Sequence, residues 1–178
     1  MSRTVLVPAV LLTVGVVTPL GVGQTNERAA GPGKVRIGTY DTRAVAVAFA
    51  ASRHNPVKEK MAAYERAQAA GDRKTVKELE AWGERYQRLL HFQGFGRVPV
   101  GELLEPVKDR VRDLAQRRGL AAISMACDYA AADVELVDVT EDLVKLYDPS
   151  EKTLAMARSV RSAAVVDLVR LADLPAKP

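Results

Sequence analysis

The sequence predicts an α+β fold, in which a small β-sheet body carries a protruding antiparallel helical hairpin and an extra C-terminal helix. Three observations lead to this prediction. Residues 34–41 and 133–139 alternate polar and apolar side chains, as half-buried strands do. Between them, apolar side chains recur every three or four positions, which is the spacing of helices. Residues 151–174 carry one apolar stripe at the same spacing, which indicates a further amphipathic helix.

The composition fits one domain with a core of small aliphatic side chains. The chain has 178 residues, of which 48% are apolar and only 5% aromatic. Such a chain is long enough to bury a substantial core, and alanine, valine and leucine must fill it. The formal net charge of +4 is mild, and no nucleic-acid motif is found. We therefore expect no nucleic-acid partner.

Residues 1–23 are predicted to be an export signal. Arg3 supplies the positive start, residues 5–22 are apolar, and Gly21 and Gly23 are the small residues expected before a cleavage site. The alternative is an uncleaved N-terminal membrane anchor, because the apolar run is long enough to span a bilayer. The next ten positions, which end at a Gly-Pro-Gly, are predicted to be a flexible tether before the folded domain.

The strand at residues 34–41 leads directly into a short helix. Asp41 and Thr42 are both candidates for the N-cap, because short oxygen-bearing side chains accept hydrogen bonds from the first free N–H groups of a helix. Val45 and Phe49 lie four positions apart and therefore share one face. We expect this helix to pack on the sheet.

Two helical runs, residues 57–70 and 73–92, come next. Asn55 is the predicted cap of the first run, Gly71 ends it, and Asp72 caps the second. Apolar side chains recur along both runs at the spacing of a coiled-coil seam. We predict that together they form the outgoing limb of the hairpin, interrupted only at the Gly-Asp pair.

The tip of the hairpin is predicted at residues 93–101. Two glycines flank Phe95 and Pro99 follows, so that a helix cannot continue through this stretch. Phe95 is apolar in a predicted loop, where it either folds back on the limb or contacts a partner. The return limb, residues 102–118, ends at Gly119, which is suited to the left-handed conformation that closes helices.

Two short strands and two capped helices complete the chain. Residues 121–127 form a predicted buried strand that ends at Cys127. We expect this lone cysteine to be buried and inert, and it leaves no intrachain disulfide possible. Thr140 is the predicted cap of the following helix, and Asp148 that of the last one. This C-terminal extension, residues 149–178, is expected to pack on the body or on a neighbouring subunit and to associate with membranes at most peripherally.

The order of these elements resembles the OmpH/Skp family of periplasmic chaperones. Three segments carry the resemblance: KVRIGTYDTRAV at residues 34–45, LEPV at residues 104–107, and DVELVDVT followed by EDLVKL at residues 133–146. It covers about residues 34–148, and its motifs are structural. The resemblance implies a periplasmic trimer whose arms, here about residues 57–118, hold unfolded outer-membrane proteins without ATP.

The short return limb departs from the family pattern and leaves two functions open. One is client binding by the arms, and the other is a non-catalytic scaffold of the cell envelope that keeps the oligomeric body. For the first, the candidate client-binding residues are Met61, Tyr64, Trp82, Tyr86, Phe92 and Phe95. The competing interpretation of these side chains is that all of them pack within the helical seam.

No catalytic or cofactor motif is found in the sequence. His54 and His91 each lie near a helix end and are interpreted as polar surface residues rather than general bases. No Walker A, GxGxxG, GxSxG or HExxH pattern occurs. We therefore expect no enzymatic activity, no cofactor and no metal, since strand alternation and helix capping account for the one acidic cluster. Its members are Asp133, Glu135, Asp138, Glu141 and Asp142.

Overall fold

The computed structural model describes residues 33–172. The predicted export signal and nearly all of the predicted tether lie outside this range, as does the predicted end of the C-terminal helix. Among the helices of the described part, none is long and apolar enough to cross a membrane.

Three parallel strands form the small sheet of this α+β fold. β1 (Val35–Thr39) lies in the centre, with β2 (Ala122–Ser124) on one side and β3 (Val134–Asp138) on the other. β1 pairs with β3 over five residues and with β2 over three. The first strand and the DVELVDV segment therefore belong to one sheet, as the alternation of their side chains predicts.

One face of the sheet packs against the hydrophobic core. α1 (Thr42–Ala50) follows β1 closely along the chain, and most of its side chains are buried. Gly38 of β1 shows how close the packing is, since a Cβ there would lie 3.0 Å from side-chain atoms of both Leu120 and Val139. The core itself is aliphatic, as the composition predicts, with Tyr147 and Phe49 as its aromatic members.

The opposite face of the sheet is open. The pairing register puts Val35, Ile37, Val134 and Leu136 on this face, which we call the open sheet face. Val35 is 43% and Leu136 44% exposed, and neither belongs to the core cluster. Parallel sheets are normally covered on both faces, so that this apolar face lacks its usual cover within the described residues.

A tight turn joins α2 (Val57–Ala69) to α3 (Arg73–Phe95). Gly71 adopts the left-handed conformation with φ +68°, and the Asp72 carboxylate accepts a hydrogen bond from Thr75 N at 3.1 Å. Both local predictions are confirmed. α3 then runs back along α2, and α2 packs chiefly against α3. We call these two helices the α2–α3 pair.

The predicted hairpin tip at residues 93–101 is wrong. Gln93 and Val100 are fully buried, and Gln93 Nε2 donates a hydrogen bond to Glu102. The chain reverses at Gly71 instead, so α3 is already the returning helix when it reaches this segment. Residues 93–101 therefore fix the base of the α2–α3 pair to the body.

The predicted return limb belongs to the body as well. It consists of α4 (Gly101–Leu104), a 3₁₀ turn (Glu105–Val107) and α5 (Lys108–Arg118). Leu103, Val107 and Leu114 join the core, and Gly119 ends the segment with φ +61°. The helix and its left-handed stop are as predicted, but its partner is the core rather than an arm.

The predicted N-caps of the two helices that follow β3 are wrong. Thr140 begins α6 (Thr140–Lys145), and its hydroxyl accepts from Asp41 N at 3.0 Å instead of capping its own helix. Ser150, rather than Asp148, caps the next helix by accepting from Thr153 N at 3.2 Å. Asp148 has φ +51°, which turns it out of the capping position, and it pairs with Arg110.

The predicted single C-terminal helix is broken in two. α7 (Glu151–Ser162) packs on α1, and an extended segment then leads to α8 (Leu168–Ala172), which packs on α3. In that segment Val166 N donates to Phe95 O at 3.0 Å. This hydrogen bond ties the extended segment to the end of α3.

Cys127 is half-buried rather than buried, so that prediction is also wrong. The strand predicted for residues 121–127 ends at Ser124, and Cys127 lies in the loop that follows. Its Sγ lies 2.9 Å from the carbonyl oxygen of Tyr129.

Candidate functional site

Two of the predicted client-binding aromatic residues, Trp82 and Tyr86, contact each other on the α2–α3 pair. Trp82 and Tyr86 stack with ring centroids 4.8 Å apart, and Lys60 Nζ lies 5.6 Å from the Trp82 ring. The Tyr86 hydroxyl donates to Asn55 Oδ1 at 3.0 Å, and burial raises the pKa of Tyr86. These contacts favour the interpretation of Trp82 and Tyr86 as packing residues.

Tyr64 forms hydrogen bonds between the two helices of the same pair, nearer to the turn. Its hydroxyl donates to Glu80 Oε1 at 3.2 Å and accepts from Gln68 Nε2 at 2.9 Å. The hydrogen bond to Glu80 raises the pKa of Tyr64, since loss of the phenolic proton would place two anions side by side. Tyr64 thus links α2 to α3.

Met61 and Phe95 are the members of the predicted set that remain open to solvent. Met61 is 53% and Phe95 48% exposed, whereas Phe92 is half-buried. The two lie at different places on the α2–α3 pair, Met61 on α2 and Phe95 at the last position of α3. The six predicted residues therefore do not converge on a single site.

An apolar groove of about 440 Å³ lies beside Phe95, between α1, α3 and α7. Its wall combines large side chains with alanines and a glycine that leave room between them. The larger apolar members are Val47, Leu90, Phe95, Met156 and Val160. Sequence reasoning missed Met156, although its position on the predicted amphipathic helix, off the apolar stripe, marks it as an exposed apolar residue.

A second, polar cavity of about 560 Å³ opens at the carboxyl ends of β1 and β3. Its wall comes from the residues that follow each strand, from the loop after α3 and from the end of α7. Its charged and hydroxyl-bearing members are Thr39, Tyr40, Asp41, Thr42, Arg97, Asp138, Thr140, Arg158, Arg161 and Ser162. Sequence reasoning did not identify this cavity. The polar side chains directly after two predicted strands were the feature of the sequence that could have indicated it.

Asp41 is the central acid of the polar cavity. Arg43 binds both of its carboxylate oxygens, at 3.1 and 2.8 Å, and Arg97 reaches one of them at 3.2 Å. Burial by itself raises the pKa of Asp41, but the hydrogen bonds from Arg43 and Arg97 outweigh it and lower the pKa below the usual value. Asp41 is therefore an ionised anchor for two guanidinium groups, not a proton donor.

The acids of the predicted cluster pair with arginines in the same way. Arg161 bonds Asp138, and Arg158 holds Glu141 through two hydrogen bonds of 2.8 and 3.2 Å. The hydrogen bonds from Arg158 and Lys145 lower the pKa of Glu141 to about 2. Within residues 33–172, no group of three or more metal-ligating side chains lies close enough to hold an ion.

Neither histidine belongs to either cavity. The His54 ring lies 6.4 Å from that of Tyr147, and the His91 ring 5.9 Å from that of Phe95.

Comparisons of the chain with family models, with curated proteins and with solved structures found no match. The resemblance to the OmpH/Skp family therefore stays a prediction from the sequence.

Proposed function

We propose that the protein is an ATP-independent, holdase-like chaperone of the periplasm that binds unfolded outer-membrane proteins. The observation that carries this proposal is the α2–α3 pair, two helices packed on each other that leave the apolar side chains of Met61 and Phe95 exposed. Holding an unfolded chain requires accessible apolar surface and no bond chemistry. The predicted export signal, cleaved near Gly23, would bring the protein to such clients.

The apolar groove supports the same function. It begins at Phe95, the last residue of α3, and every residue of its wall except Ser159 is apolar. A groove of this kind can accept large apolar side chains from an extended segment. Because the arm reverses after only 13 residues of α2, it is suited to gripping a short apolar segment and not to enclosing a whole client.

Light scattering of a denatured outer-membrane protein, diluted with and without the full-length chain, tests the proposal. We expect a molar excess of the protein to suppress aggregation, and Phe95→Ser to weaken the suppression severalfold. Tyr129→Ser is the matched control, because Tyr129 is an exposed aromatic residue in the loop between β2 and β3. Unchanged aggregation in the presence of the wild-type protein would overturn the assignment.

A homo-oligomer, with three subunits as the family resemblance implies, is part of this proposal. The open sheet face supports it, since Val35 and Leu136 would be covered by the sheets of neighbouring subunits. The mass of the protein in solution, from light scattering on a sizing column, is expected to be that of a trimer. Leu136→Lys should release monomers, whereas Val169→Lys, at an exposed position of α8, should not. A monomeric wild-type protein contradicts this part of the proposal.

The second candidate function is a non-catalytic scaffold of the cell envelope built on the same oligomeric body. The stacking of Trp82 on Tyr86 and the hydrogen bond from Tyr64 to Glu80 favour it, because side chains held within the α2–α3 pair are less available to clients. Affinity capture from an envelope extract separates the two functions. Recovery of one folded partner favours the scaffold, and recovery of many unfolded proteins favours the chaperone.

A further inference from the structure

The polar cavity occupies the position at which parallel sheets bind small molecules. In the strand order β2-β1-β3, the chain goes from the central strand β1 to β2 at one edge of the sheet. It then returns past β1 to form β3 at the other edge. In doubly wound sheets, which carry helices on both faces, ligands bind outside the carboxyl ends of the two neighbouring strands where this reversal occurs, and by analogy β1 and β3 are those strands here. The cavity of about 560 Å³ opens at this point, and its size is within the usual range for small-molecule sites.

The cavity wall contains a guanidinium group whose charge is not balanced. Arg43 is buried and already binds both oxygens of Asp41, so the additional bond from Arg97 places two cations on one carboxylate. Among the described residues, Asp41 is the acid that Arg97 contacts, and the other N–H donors of Arg97 bond no protein acceptor there. A planar guanidinium with free donors matches the geometry of a phosphate or carboxylate group.

The backbone of Arg97 is also held in an unusual conformation. Its φ of +52° lies in the left-handed region, which residues with a side chain rarely adopt. Such conformations cost free energy, persist only where the surrounding structure imposes them, and concentrate at binding sites. At this position the conformation brings the Arg97 side chain to the cavity wall.

Thr42 is a further polar residue of the cavity wall. It lines the cavity and is almost fully buried. Its Oγ1 has no hydrogen-bond partner within the described part of the chain, although buried hydroxyl groups are nearly always bonded.

We propose that the polar cavity binds a small molecule through a phosphate or carboxylate group, with Arg97 as the principal contact. Arg161, which also lines the cavity and uses one nitrogen to bond Asp138, is the second contact. This binding site is separate from the α2–α3 pair and from the apolar groove. It therefore does not depend on the proposed chaperone function.

Isothermal titration calorimetry of the full-length chain with sodium phosphate, and separately with sodium malonate, tests the proposal at constant ionic strength. We expect saturable binding of one equivalent for at least one of the two anions. Binding of phosphate alone or of malonate alone identifies which oxyanion the cavity accepts. Sodium chloride provides the baseline, and the absence of saturable binding for both anions would overturn the proposal.

Arg97→Gln is expected to weaken this binding at least tenfold. Arg112→Gln is the matched control, since Arg112 is 63% exposed compared with 54% for Arg97 and does not line the cavity. Should the circular dichroism spectrum of Arg97→Gln show a loss of folding, Arg161→Gln is measured in its place, and the same tenfold loss is expected. Wild-type affinity in a folded Arg97→Gln or Arg161→Gln protein contradicts the assigned contacts.

Discussion

The Arg43 guanidinium binds both carboxylate oxygens of Asp41 beneath the surface, at the start of α1. The same guanidinium donates to Ala163 O at 2.9 Å, just beyond the C-terminal end of α7. Carbonyl groups at the end of a helix lack partners within that helix and favour a nearby positive charge. Asp41 is the N-cap of α1, since its carboxylate accepts from Arg43 N at 3.0 Å. One buried cation thus joins the cap of α1 to the end of α7.

Replacing Arg43 should therefore destabilise the protein more than replacing an arginine on the surface of a helix. We expect Arg43→Met to lower the free energy of unfolding by about 3 kcal/mol, because it removes the closer partner of a buried carboxylate. Urea denaturation measures the effect. Arg53→Met is the control, since Arg53 is exposed and 4.0 Å from Asp148, and its effect should stay within about 0.5 kcal/mol.

A double-mutant cycle separates the ion pair from the contact with α7. The double variant Asp41→Asn with Arg43→Met should be more stable than the sum of the single effects predicts, because neither charge is left without its partner. Strict additivity of the two single effects would contradict the described pairing.

Gly96 and Gly94 are expected to respond oppositely to alanine. A Cβ at Gly96 would lie 2.5 Å from Leu168 Cδ2 and 2.9 Å from Phe92 O. Gly96→Ala should therefore push α8 away from α3 and cost about 1–3 kcal/mol. Gly94→Ala, where nothing lies within 4 Å, should be neutral or slightly stabilising. Thermal unfolding followed by circular dichroism compares the two, and equal effects would contradict the packing of α8.

Gly83 and Gly71 provide the same comparison along the α2–α3 pair. Gly83 lies inside α3 with nothing within 4 Å of an added Cβ, so Gly83→Ala should stabilise the protein by about 0.5–1 kcal/mol. Gly71 has φ +68°, where alanine is strained, and Gly71→Ala should destabilise it by about 1–2 kcal/mol. Both values follow from urea denaturation. Destabilisation by Gly83→Ala would argue against a continuous α3.

Acid should weaken the protein through its arginine-paired carboxylates. The pKa of Glu141 is lowered from 4.5 to about 2 in the folded chain, so the unfolded chain binds more protons between these values. Stability from this group is fully present above pH 4.5 and is lost as the pH falls towards 2. We expect the melting temperature to fall over this range, with contributions of the same sign from Asp41 and Asp138.

The pair with Arg158 can be isolated in the same measurement. Arg158→Gln removes the largest cause of the low pKa of Glu141 and should make the decline in melting temperature shallower. Arg112→Gln, which leaves the partners of Glu141 unchanged, should keep the wild-type dependence on pH. A wild-type slope in Arg158→Gln would show that the pair adds nothing to acid sensitivity.

Local signals in the sequence were sufficient wherever one residue and its neighbours decide the geometry. Gly71 and Gly119 end helices in the left-handed conformation, and Asp72 caps α3, as predicted. The alternation of residues 34–41 and 133–139 likewise identified β1 and β3. Each of these outcomes depends on backbone sterics or on a hydrogen bond within a few residues.

Long-range packing accounts for what the sequence did not predict. Whether the chain reverses at Gly71 or at residues 93–101 depends on which helix face meets the core, and Gln93 is a polar residue that becomes fully buried there. The polar cavity was hidden for a similar reason. Arg97 and Arg161 are far apart in the sequence, and each alone is indistinguishable from an ordinary solvent-exposed arginine.

The central position of β1 has a consequence for how the protein folds. Arg36 of β1 bonds Glu135 of β3, a residue 99 positions later, so the first strand to be synthesised waits for partners at the far end of the chain. Sheets built from such distant pairings form slowly. Until they form, Val35 and Ile37 belong to an unpaired extended segment, which is a template for association between chains. A nascent chain is therefore most prone to aggregate just before its last strand emerges.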